Sequence, residues 1–403
     1  MPKRKVGVWL IGALGGISTT VAVGIAALRR KLVDEVGLVS GLPRFQKLDL
    51  LGWDDIAIGG HEIRETTYAA EARQLHRQSG VFDDAMLQAV APTLTEFEKN
   101  IRPGTLINVG STIEKLAGAS AIKQRGERPA VAIERITADI AEFKKNHKLD
   151  HVIVVNVAST EPPQPAELRN LTWSDLKQKL DSDAVSPIPA SSIYAVAAIQ
   201  SGCSHVNFTP SVGTDLPALE AFARERNVLH VGRDGKTGET LMKSVLAPMF
   251  AARNLQVQSW VGHNIFGNMD GKVLDDPVNK ANKVRSKDHL LTEILGYKPQ
   301  TLVTIEYIES MGDWKTAWDH IHFRGFLNTK MILQFLWQGC DSLLAAPLVL
   351  DLIRFTDRAH RAGQGGVMRH LASFFKSPMG DNVPPEFHEQ YLQLENWADN
   401  LMV

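Results

Sequence analysis

The sequence contains very little cysteine and almost no net charge. Only Cys203 and Cys340 occur among 403 residues, so neither a disulfide framework nor a thiolate zinc site is expected, and a reducing, cytoplasmic location is predicted. Lysine and arginine number 44 against 45 acidic residues, and this balance excludes a polycationic protein that binds nucleic acid. With 44% hydrophobic residues, the chain is expected to fold as a globular protein of about two or three domains.

Charged residues are also absent between Val6 and Leu28, but five glycines interrupt this segment. A signal peptide or a membrane-spanning helix is the alternative interpretation, although its apolar core is rarely so interrupted. Val6–Ile11 predicts a buried strand, and Ser18 or Thr19 is expected to cap a helix that ends in a basic cluster. We therefore predict a strand, a glycine loop and a helix, with no membrane partner.

The glycine loop runs from Gly12 to Thr19 and reads Gly-Ala-Leu-Gly-Gly-Ile-Ser-Thr. A dinucleotide pyrophosphate binds backbone N–H groups at a helix N-terminus, where glycines let the backbone come close. The spacing departs from G-x-G-x-x-G, so a tight turn between strand and helix remains the alternative.

A second strand is predicted at Lys47–Leu51, and acidic residues follow it. Asp54 is the better candidate for accepting hydrogen bonds from a ribose diol, and such a carboxylate would repel a 2′-phosphate. It therefore favours NAD over NADP as the cofactor. The alternative is a solvated acid in a turn.

Two further apolar segments end in small polar residues. Ile101–Val109 precedes Ser111, and His151–Val157 precedes Ser159 and Thr160. Parallel strands with small residues at their carboxyl ends form a ligand crevice there, so the pattern predicts an α/β fold with a doubly wound parallel sheet.

The rest of the chain continues the alternation of helices and strands. Helices are predicted at 68–77, 82–97, 131–147, 191–201, 216–224 and from 341 onward, and strands at 205–208, 257–262 and 302–309. The pattern changes after residue 240. We therefore predict a sheet domain of residues 1–240 plus 341–403 that is interrupted by an inserted domain of residues 241–340.

Gly232–Thr240 has the composition of a phosphate-binding loop but not the spacing of a nucleotide-hydrolysing one. It could hold a sugar phosphate at a helix start, or it could simply cap that helix. His263–Gly271 is rich in amides, and by itself it predicts turns. Oxygen ligands such as Asp270 and Asp341 have no diagnostic spacing, so no metal is predicted.

Taken in order, these segments resemble the myo-inositol-1-phosphate synthase family. The resembling segments span nearly the whole chain: Gly12–Thr19, Leu51–Asp54, Asn156–Glu161, Asn207–Pro210, Gly232–Thr240, Asn264–Gly271, Arg285–Lys287, Gly312–Lys315, Asp341–Pro347 and Phe374–Pro378. The resemblance implies a Rossmann-like NAD domain with an inserted α/β domain for catalysis and oligomerisation, in a homotetramer.

The activity that the resemblance implies is the conversion of glucose 6-phosphate to myo-inositol monophosphate. Oxidation at C5, enolisation, an intramolecular aldol closure and reduction follow one another with no net redox change. Such an enzyme is an isomerising cyclase that needs catalytic NAD and cations beside the developing negative charge.

The strand ends and the resemblance together define the expected site. Cofactor contacts are expected at Gly12, Leu14, Gly15, Gly16, Ile17, Ser18, Thr19, Asp54, Ser111, Ser159, Thr160 and Asp234. Catalytic roles are expected for Asp234, Asn264, Asn268, Asp270, Lys287, Lys315, Asp341 and Lys376. Substrate contacts are expected at Thr237, Gly238, Lys287 and Lys315. Ammonium groups suit these roles because they hold phosphate or an oxyanion and can donate a proton.

One position departs from the family pattern. Leu291 stands where the family has a further active-site lysine, four residues after Lys287, and a leucine neutralises no phosphate. Lys280 or Lys283 could substitute for it, and a lysine restored at position 291 is expected to tighten phosphate binding. The departure leaves two other hypotheses open, namely a diverged NAD-dependent oxidoreductase or cyclase for another sugar phosphate and a non-catalytic NAD-binding scaffold.

Overall fold

The computed structural model describes residues 4–268, 271 and 290–402. In these residues, seven strands form one sheet in the order β3-β2-β1-β4-β5-β6-β11, and every neighbouring pair is parallel. The strands are β1 (Val6–Ile11), β2 (Ile56–Glu62), β3 (Ile101–Pro103), β4 (His151–Asn156), β5 (Ser204–Asn207), β6 (Leu229–Gly232) and β11 (Gly366–Val367). This is a doubly wound, Rossmann-like order, and it confirms the predicted fold class.

Sequence explains why this sheet is central. All six residues of β1 and all six of β4 are buried, as expected for parallel strands that helices cover on both faces. Ile11 at the end of β1 is in register with His61 of β2 and Asn156 of β4. The carboxyl ends of the three strands therefore meet at one edge of the sheet.

A second sheet has the order β10-β9-β7-β8 in the described part of the chain. Its strands are β7 (Gln256–Phe266), β8 (Gln300–Tyr307), β9 (Trp314–Arg324) and β10 (Lys330–Cys340). β7 is parallel to β8 and antiparallel to β9, which is antiparallel to β10. Exposed and half-buried residues alternate along β10, so one face of this sheet packs inward and the other is open.

The helices surround the first sheet and connect the two sheets. They are α1 (Gly16–Arg29), α2 (Tyr68–Ser79), α3 (Asp84–Glu98), α4 (Ser111–Glu114), α5 (Ala119–Ile122), α6 (Pro129–His147), α7 (Trp173–Ser182), α8 (Ala190–Gln200), α9 (Pro217–Glu225), α10 (Gly238–Ala252), α11 (Asp341–Arg361) and α12 (Phe387–Met402). α11 follows β10 directly and packs against α1, so the chain returns from the second sheet to the first. None of the described helices is long and apolar enough to cross a membrane.

Some local predictions were wrong. Residues 47–51 are not a strand, because a short 3-10 helix that begins at Pro43 runs to Leu48 and the second strand starts only at Ile56. The strand predicted at 101–109 ends at Pro103, which lacks the N–H that a continuing ladder needs. Residues 263–266 extend β7 rather than forming turns. α1 begins at Gly16, so Ser18 and Thr19 lie inside it and do not cap it.

Leu291 lies in a helical segment that is described over residues 290–295, and it is completely buried. Its side chain belongs to an apolar cluster with Phe250 of α10, Trp260 of β7 and Ile321 of β9. A lysine at this position would place its ammonium group among apolar side chains and not in a phosphate site. The expectation that lysine at position 291 tightens phosphate binding therefore gives way to an expectation about stability.

We expect Leu291→Ala to lower the free energy of unfolding by about 2–5 kcal/mol, because it leaves a cavity in this cluster. Leu291→Lys should lower it at least as much, because it would bury an ammonium group among apolar side chains. Urea denaturation measures both. Val185→Ala is the control, since Val185 is 74% exposed. Unaltered stability of Leu291→Lys would contradict this placement.

Candidate active site

A cleft of about 420 Å³ lies along the carboxyl edge of the parallel sheet. Residues that follow six of its strands line the cleft: Gly12 after β1, Ile63 after β2, Thr105 after β3, Ala158 after β4, Phe208 after β5 and Asp234 after β6. The second sheet and α11 contribute Asn268, Tyr307, Asp313, Lys315 and Asp341. The cleft therefore joins the crevice of a doubly wound sheet to charged groups from the neighbouring sheet.

The glycine loop forms one wall of this cleft. Gly12 leaves β1 with a φ of +79°, and a Cβ on it would lie 2.8 Å from Cα of Ala158. A Cβ on Gly16 would lie 2.7 Å from Oγ of Ser342. Gly12, Gly15 and Gly16 all line the cleft, so the loop leaves space beside the N-terminus of α1, where an anionic group binds favourably.

The other residues of the loop divide into two groups. Ile17 lines the cleft, whereas Leu14, Ser18 and Thr19 are buried and are not part of its lining. Ser18 Oγ donates a 2.8 Å hydrogen bond to the carbonyl of Gly12. This bond ties the first turn of α1 to the loop, so Ser18 holds the loop in shape.

Asp54 does not occupy the place expected of it. It precedes β2, whose seven residues separate it by roughly 20 Å from the strand's carboxyl end, and it is not part of the cleft lining. The predicted ribose contact at Asp54 is therefore not compatible with its position in the structure. The carboxylate at the carboxyl end of β2 is Glu62, which lines the cleft.

Glu62 is held in a defined orientation by three backbone N–H groups. Its Oε2 accepts a 2.8 Å hydrogen bond from Leu14 of the glycine loop, and its Oε1 accepts bonds from Ile63 at 2.9 Å and Arg64 at 3.0 Å. A carboxylate accepts about four hydrogen bonds, so room remains on Oε2 for a ligand hydroxyl. The sequence did contain the signal, because an apolar strand from Ile56 ends directly in this acid.

The residues after β4 reach the cleft as predicted, but Ser111 does not. Ser159 and Thr160 line the cleft, together with Glu161. Ser111 begins the short helix α4, is exposed and lies outside the lining. The loop after the short strand β3 therefore reaches the cleft through neighbouring residues such as Val109.

Glu161 is a buried acid that the sequence analysis did not assign to the site. Its carboxylate accepts hydrogen bonds from the backbone N–H of Ser191 at 2.7 Å and from the hydroxyl of the same residue at 2.5 Å, in the first turn of α8. Burial raises the pKa of Glu161 to about 7, although the bonds from Ser191 oppose this shift. The cleft thus contains a carboxyl group that exchanges its proton near neutral pH.

Lys376 and Asp234 form an ion pair at the next strand end. Lys376 Nζ lies 2.8 Å from Asp234 Oδ1, and its backbone N–H donates a 2.7 Å bond to the carbonyl of Asp234. Asp234 has a φ of +61°, a left-handed conformation that is uncommon outside glycine. Both side chains line the cleft, so a paired ammonium group faces the site.

The next residues begin α10 as the phosphate-loop composition predicted. Thr237 is the N-cap and Gly238, with a φ of +53°, is the first helical residue. Thr237 lines the cleft but Gly238 does not. A small side pocket brings Thr237 together with Asn264, Lys315 and Lys376.

Lys315 belongs to a polar network between the second sheet and α11. Its Nζ lies 3.5 Å from Asp341 Oδ1. Asn268 Nδ2 donates to Asp341 Oδ2 at 3.2 Å and to Asp313 Oδ1 at 3.1 Å, so one amide joins the two carboxylates. Lys315, Asn268 and Asp341 are thus brought together from three elements that are distant in sequence.

Asp313, like Glu62 and Glu161, is a residue that the sequence analysis did not assign to the site. Its Oδ2 accepts hydrogen bonds from the Cys340 thiol at 2.9 Å and from the backbone N–H of Ser342 at 2.8 Å. Burial, followed by the charge of Asp341, raises the pKa of Asp313. No local pattern distinguished this acid, because its partners lie on α11 and on the strand before it.

Two predicted residues, Lys287 and Asp270, lie outside the described residues, as do Lys280 and Lys283. Among the described residues no group of three His, Cys, Asp or Glu side chains is arranged to hold a metal ion. The chemistry that the described part of the site offers is therefore that of two paired lysines, buried carboxyl groups and a glycine loop at a helix N-terminus.

The fold and this loop define a Rossmann-like protein of the dinucleotide-binding class. A family model for NAD-binding proteins, described as myo-inositol-1-phosphate synthase, matches residues 6–399. The chain belongs to the myo-inositol-1-phosphate synthase family.

Individual relatives agree over nearly the whole chain. Inositol-3-phosphate synthase 1 of Bacteroides thetaiotaomicron is 32% identical over 415 residues, which cover 96% of this chain and 93% of that protein. The crystal structure of inositol-3-phosphate synthase from Caenorhabditis elegans has a TM-score of 0.85 at 25% identity, with 99% of this chain and 86% of that chain covered. A myo-inositol-1-phosphate synthase-related protein from Thermotoga maritima shares the fold, with a TM-score of 0.77 at 22% identity and coverage of 98% and 99%.

We expect Glu161→Gln to change how stability depends on pH. At pH values between its ordinary pKa and about 7, Glu161 is more protonated in the folded chain than in the unfolded chain. Its contribution to stability therefore falls as the pH rises through this range. The loss amounts to about 3 kcal/mol, at about 1.4 kcal/mol per pKa unit. Urea denaturation at pH 5 and pH 7 measures the change in the free energy of unfolding between these pH values. The variant should lose less of it, or gain more, than the unaltered protein. Equal pH dependence would refute the shifted pKa.

Proposed function

We propose that this protein is an NAD-dependent isomerising cyclase that converts glucose 6-phosphate to myo-inositol monophosphate. The single observation that carries the proposal is the placement of Lys315 and Lys376 in the same cleft as the glycine loop. Membership of the family supports this reaction. We call the glycine loop with Glu62, Arg64 and Glu71 the cofactor wall, and the side of the cleft with Lys315 and Lys376 the cationic wall.

The residues present fit NAD. The missing side chains of Gly12 and Gly16 leave a cradle beside the N-terminus of α1, where a pyrophosphate would lie. Glu62 at the end of β2 would accept hydrogen bonds from a ribose diol. When bound, NAD supplies the removal and the return of one hydride, so the reaction has no net redox change.

The charged residues of the opposite wall would handle the sugar phosphate. The ammonium groups of Lys315 and Lys376 would stabilise an alkoxide or an enolate oxygen as charge develops on it. Asp234 and Asp341 would hold these ammonium groups in place, and Thr237 at the start of α10 would contact the phosphate.

We also propose that copies of the chain associate through the open face of the second sheet, in the homotetramer that the family resemblance implies. Trp318 and Leu336 are cross-strand neighbours on β9 and β10, and they are 37% and 66% exposed. Ile332, two turns of the pleat away on β10, is also exposed. Such an apolar face fits a second copy because the same surface can pack against itself.

We expect Glu62→Gln to weaken NAD binding by about tenfold or more, because a charge-assisted bond to ribose is lost. Asp54→Asn is the matched control and should bind NAD with unchanged affinity, since Asp54 is at the other end of β2. Isothermal titration of each variant with NAD measures both values. A larger loss of affinity for the Asp54 variant would support a ribose contact at Asp54 and refute the one at Glu62.

We expect Lys376→Ala and Lys315→Ala each to lower the turnover of glucose 6-phosphate by about 10²-fold or more, as for loss of a positioned proton donor or cation. NAD binding should be nearly intact in both. Lys330→Ala removes an exposed lysine of β10 and should leave turnover unchanged. Anion-exchange chromatography of the products after incubation with NAD provides the measurement.

The same assay separates the alternatives. Turnover of another hexose phosphate without any inositol phosphate would favour the diverged oxidoreductase or cyclase. Tight NAD binding with no turnover of any hexose phosphate would favour the non-catalytic scaffold.

A further inference from the structure

Arg64 is a cationic residue of the cofactor wall to which the proposed reaction gives no task. It stands two residues after Glu62, beyond the carboxyl end of β2, and it lines the cleft. Its side chain extends back across the glycine loop, where Nη2 donates a 2.5 Å hydrogen bond to the carbonyl of Leu14. The guanidinium group therefore lies beside the carboxylate that would bind a ribose diol.

Two carboxylates occupy the rest of this guanidinium group. Its Nη1 lies 3.4 Å from Glu71 Oε2, and its Nε lies 3.5 Å from Glu62 Oε1. Glu71 is in the first turn of α2 and is itself held by the hydroxyl of Thr66, which donates to its Oε1 at 2.9 Å. Arg64 thus has an acceptor for each of its three nitrogen atoms, all from residues around the cleft.

An arginine at this position could bind a phosphate group instead of its present acceptors. A guanidinium group binds phosphate through paired, charge-assisted hydrogen bonds, and an arginine near the second strand accommodates the 2′-phosphate of NADP in dinucleotide-binding folds. Arg64 could serve NADP in this way only if its present acceptors released it. Of these three acceptors, Glu71 is the one that can be altered without disturbing the dinucleotide site. Glu62 would bind the ribose, and the carbonyl of Leu14 is part of the glycine loop.

We infer that Glu71 is a specificity-determining residue, which holds Arg64 against the glycine loop and so denies a 2′-phosphate its ligand. This inference rests on the proposed use of a nicotinamide dinucleotide and deepens it. Glu71 acts in two ways, since its charge also repels the phosphate directly. Specificity for NAD thus comes from the pair of Glu62 and Glu71 together with the arginine between them.

The test is titration of the full chain with NAD and with NADP, followed by calorimetry, so no turnover is required. In the unaltered protein NAD should bind more tightly than NADP. Glu71→Gln keeps the shape of the side chain but removes its charge, and it should raise the affinity for NADP relative to NAD by about 10- to 100-fold. Glu65→Gln is the matched control, because Glu65 is exposed and its carboxylate accepts hydrogen bonds from Ser120, whereas the ion pairs of Arg64 are with Glu62 and Glu71.

A second variant separates release of Arg64 from loss of repulsion. In the Glu71→Gln background, Arg64→Ala should abolish most of the gain in NADP affinity. If the gain persists without the arginine, or if Glu71→Gln leaves the affinity ratio unchanged while NAD still binds, the inference is overturned and the proposed function stands. If the unaltered protein binds no NAD, the proposed function fails and the inference fails with it.

Discussion

The parallel pairing of β1 with both β2 and β4 is the constraint on which the rest of the site depends. Because Ile11 is in register with His61 and Asn156, the glycine loop, Glu62 and the Ser159–Glu161 segment all begin at the same edge of the sheet. Glycine at position 60 lets the loop come this close, since a Cβ there would be 2.8 Å from Cβ of Ala13 in the loop. A shift of register by one residue would turn Glu62 to the other face of the sheet and leave the loop without its carboxylate.

The second sheet matters because it carries charges to that edge. Lys315 on β9 is paired with Asp341 at the start of α11, and Lys376 is paired with Asp234. Pairing lowers the free-energy cost of keeping these ammonium groups largely buried, since the side chains of Lys315 and Lys376 are only 19% and 13% exposed. It also keeps them in fixed positions before a substrate arrives, which is the condition for electrostatic stabilisation of a transition state. The carboxylates are therefore as much a part of the cationic wall as the lysines.

Much of this arrangement could be predicted from the sequence, and the failures have physical causes. A glycine loop carries a local signal, so the loop at Gly12 was predicted from its own residues, whereas Lys315 was predicted only from the family resemblance. The ribose carboxylate was assigned to Asp54 because the apolar residues before it have a strand-like pattern, whereas the structure has a 3-10 helix there. Strand boundaries depend on pairing that one segment does not reveal. Asp313 and Glu161 take their importance from partners on α11 and α8, and contacts between distant segments leave no mark in a local pattern.

The two walls of the described cleft carry different arrangements of charge. On the cofactor wall, the positive charge of Arg64 is offset by Glu62 and Glu71, so this wall is acidic overall. On the opposite wall, the described residues pair Lys315 with Asp341 and Lys376 with Asp234. In the proposed complex, Lys315 and Lys376 would supply the ammonium groups for the sugar phosphate, and the acidic cofactor wall would repel its charge. Leu291 belongs to the apolar cluster that contains Trp260 and does not line the described cleft, so its side chain contributes to packing rather than to either wall.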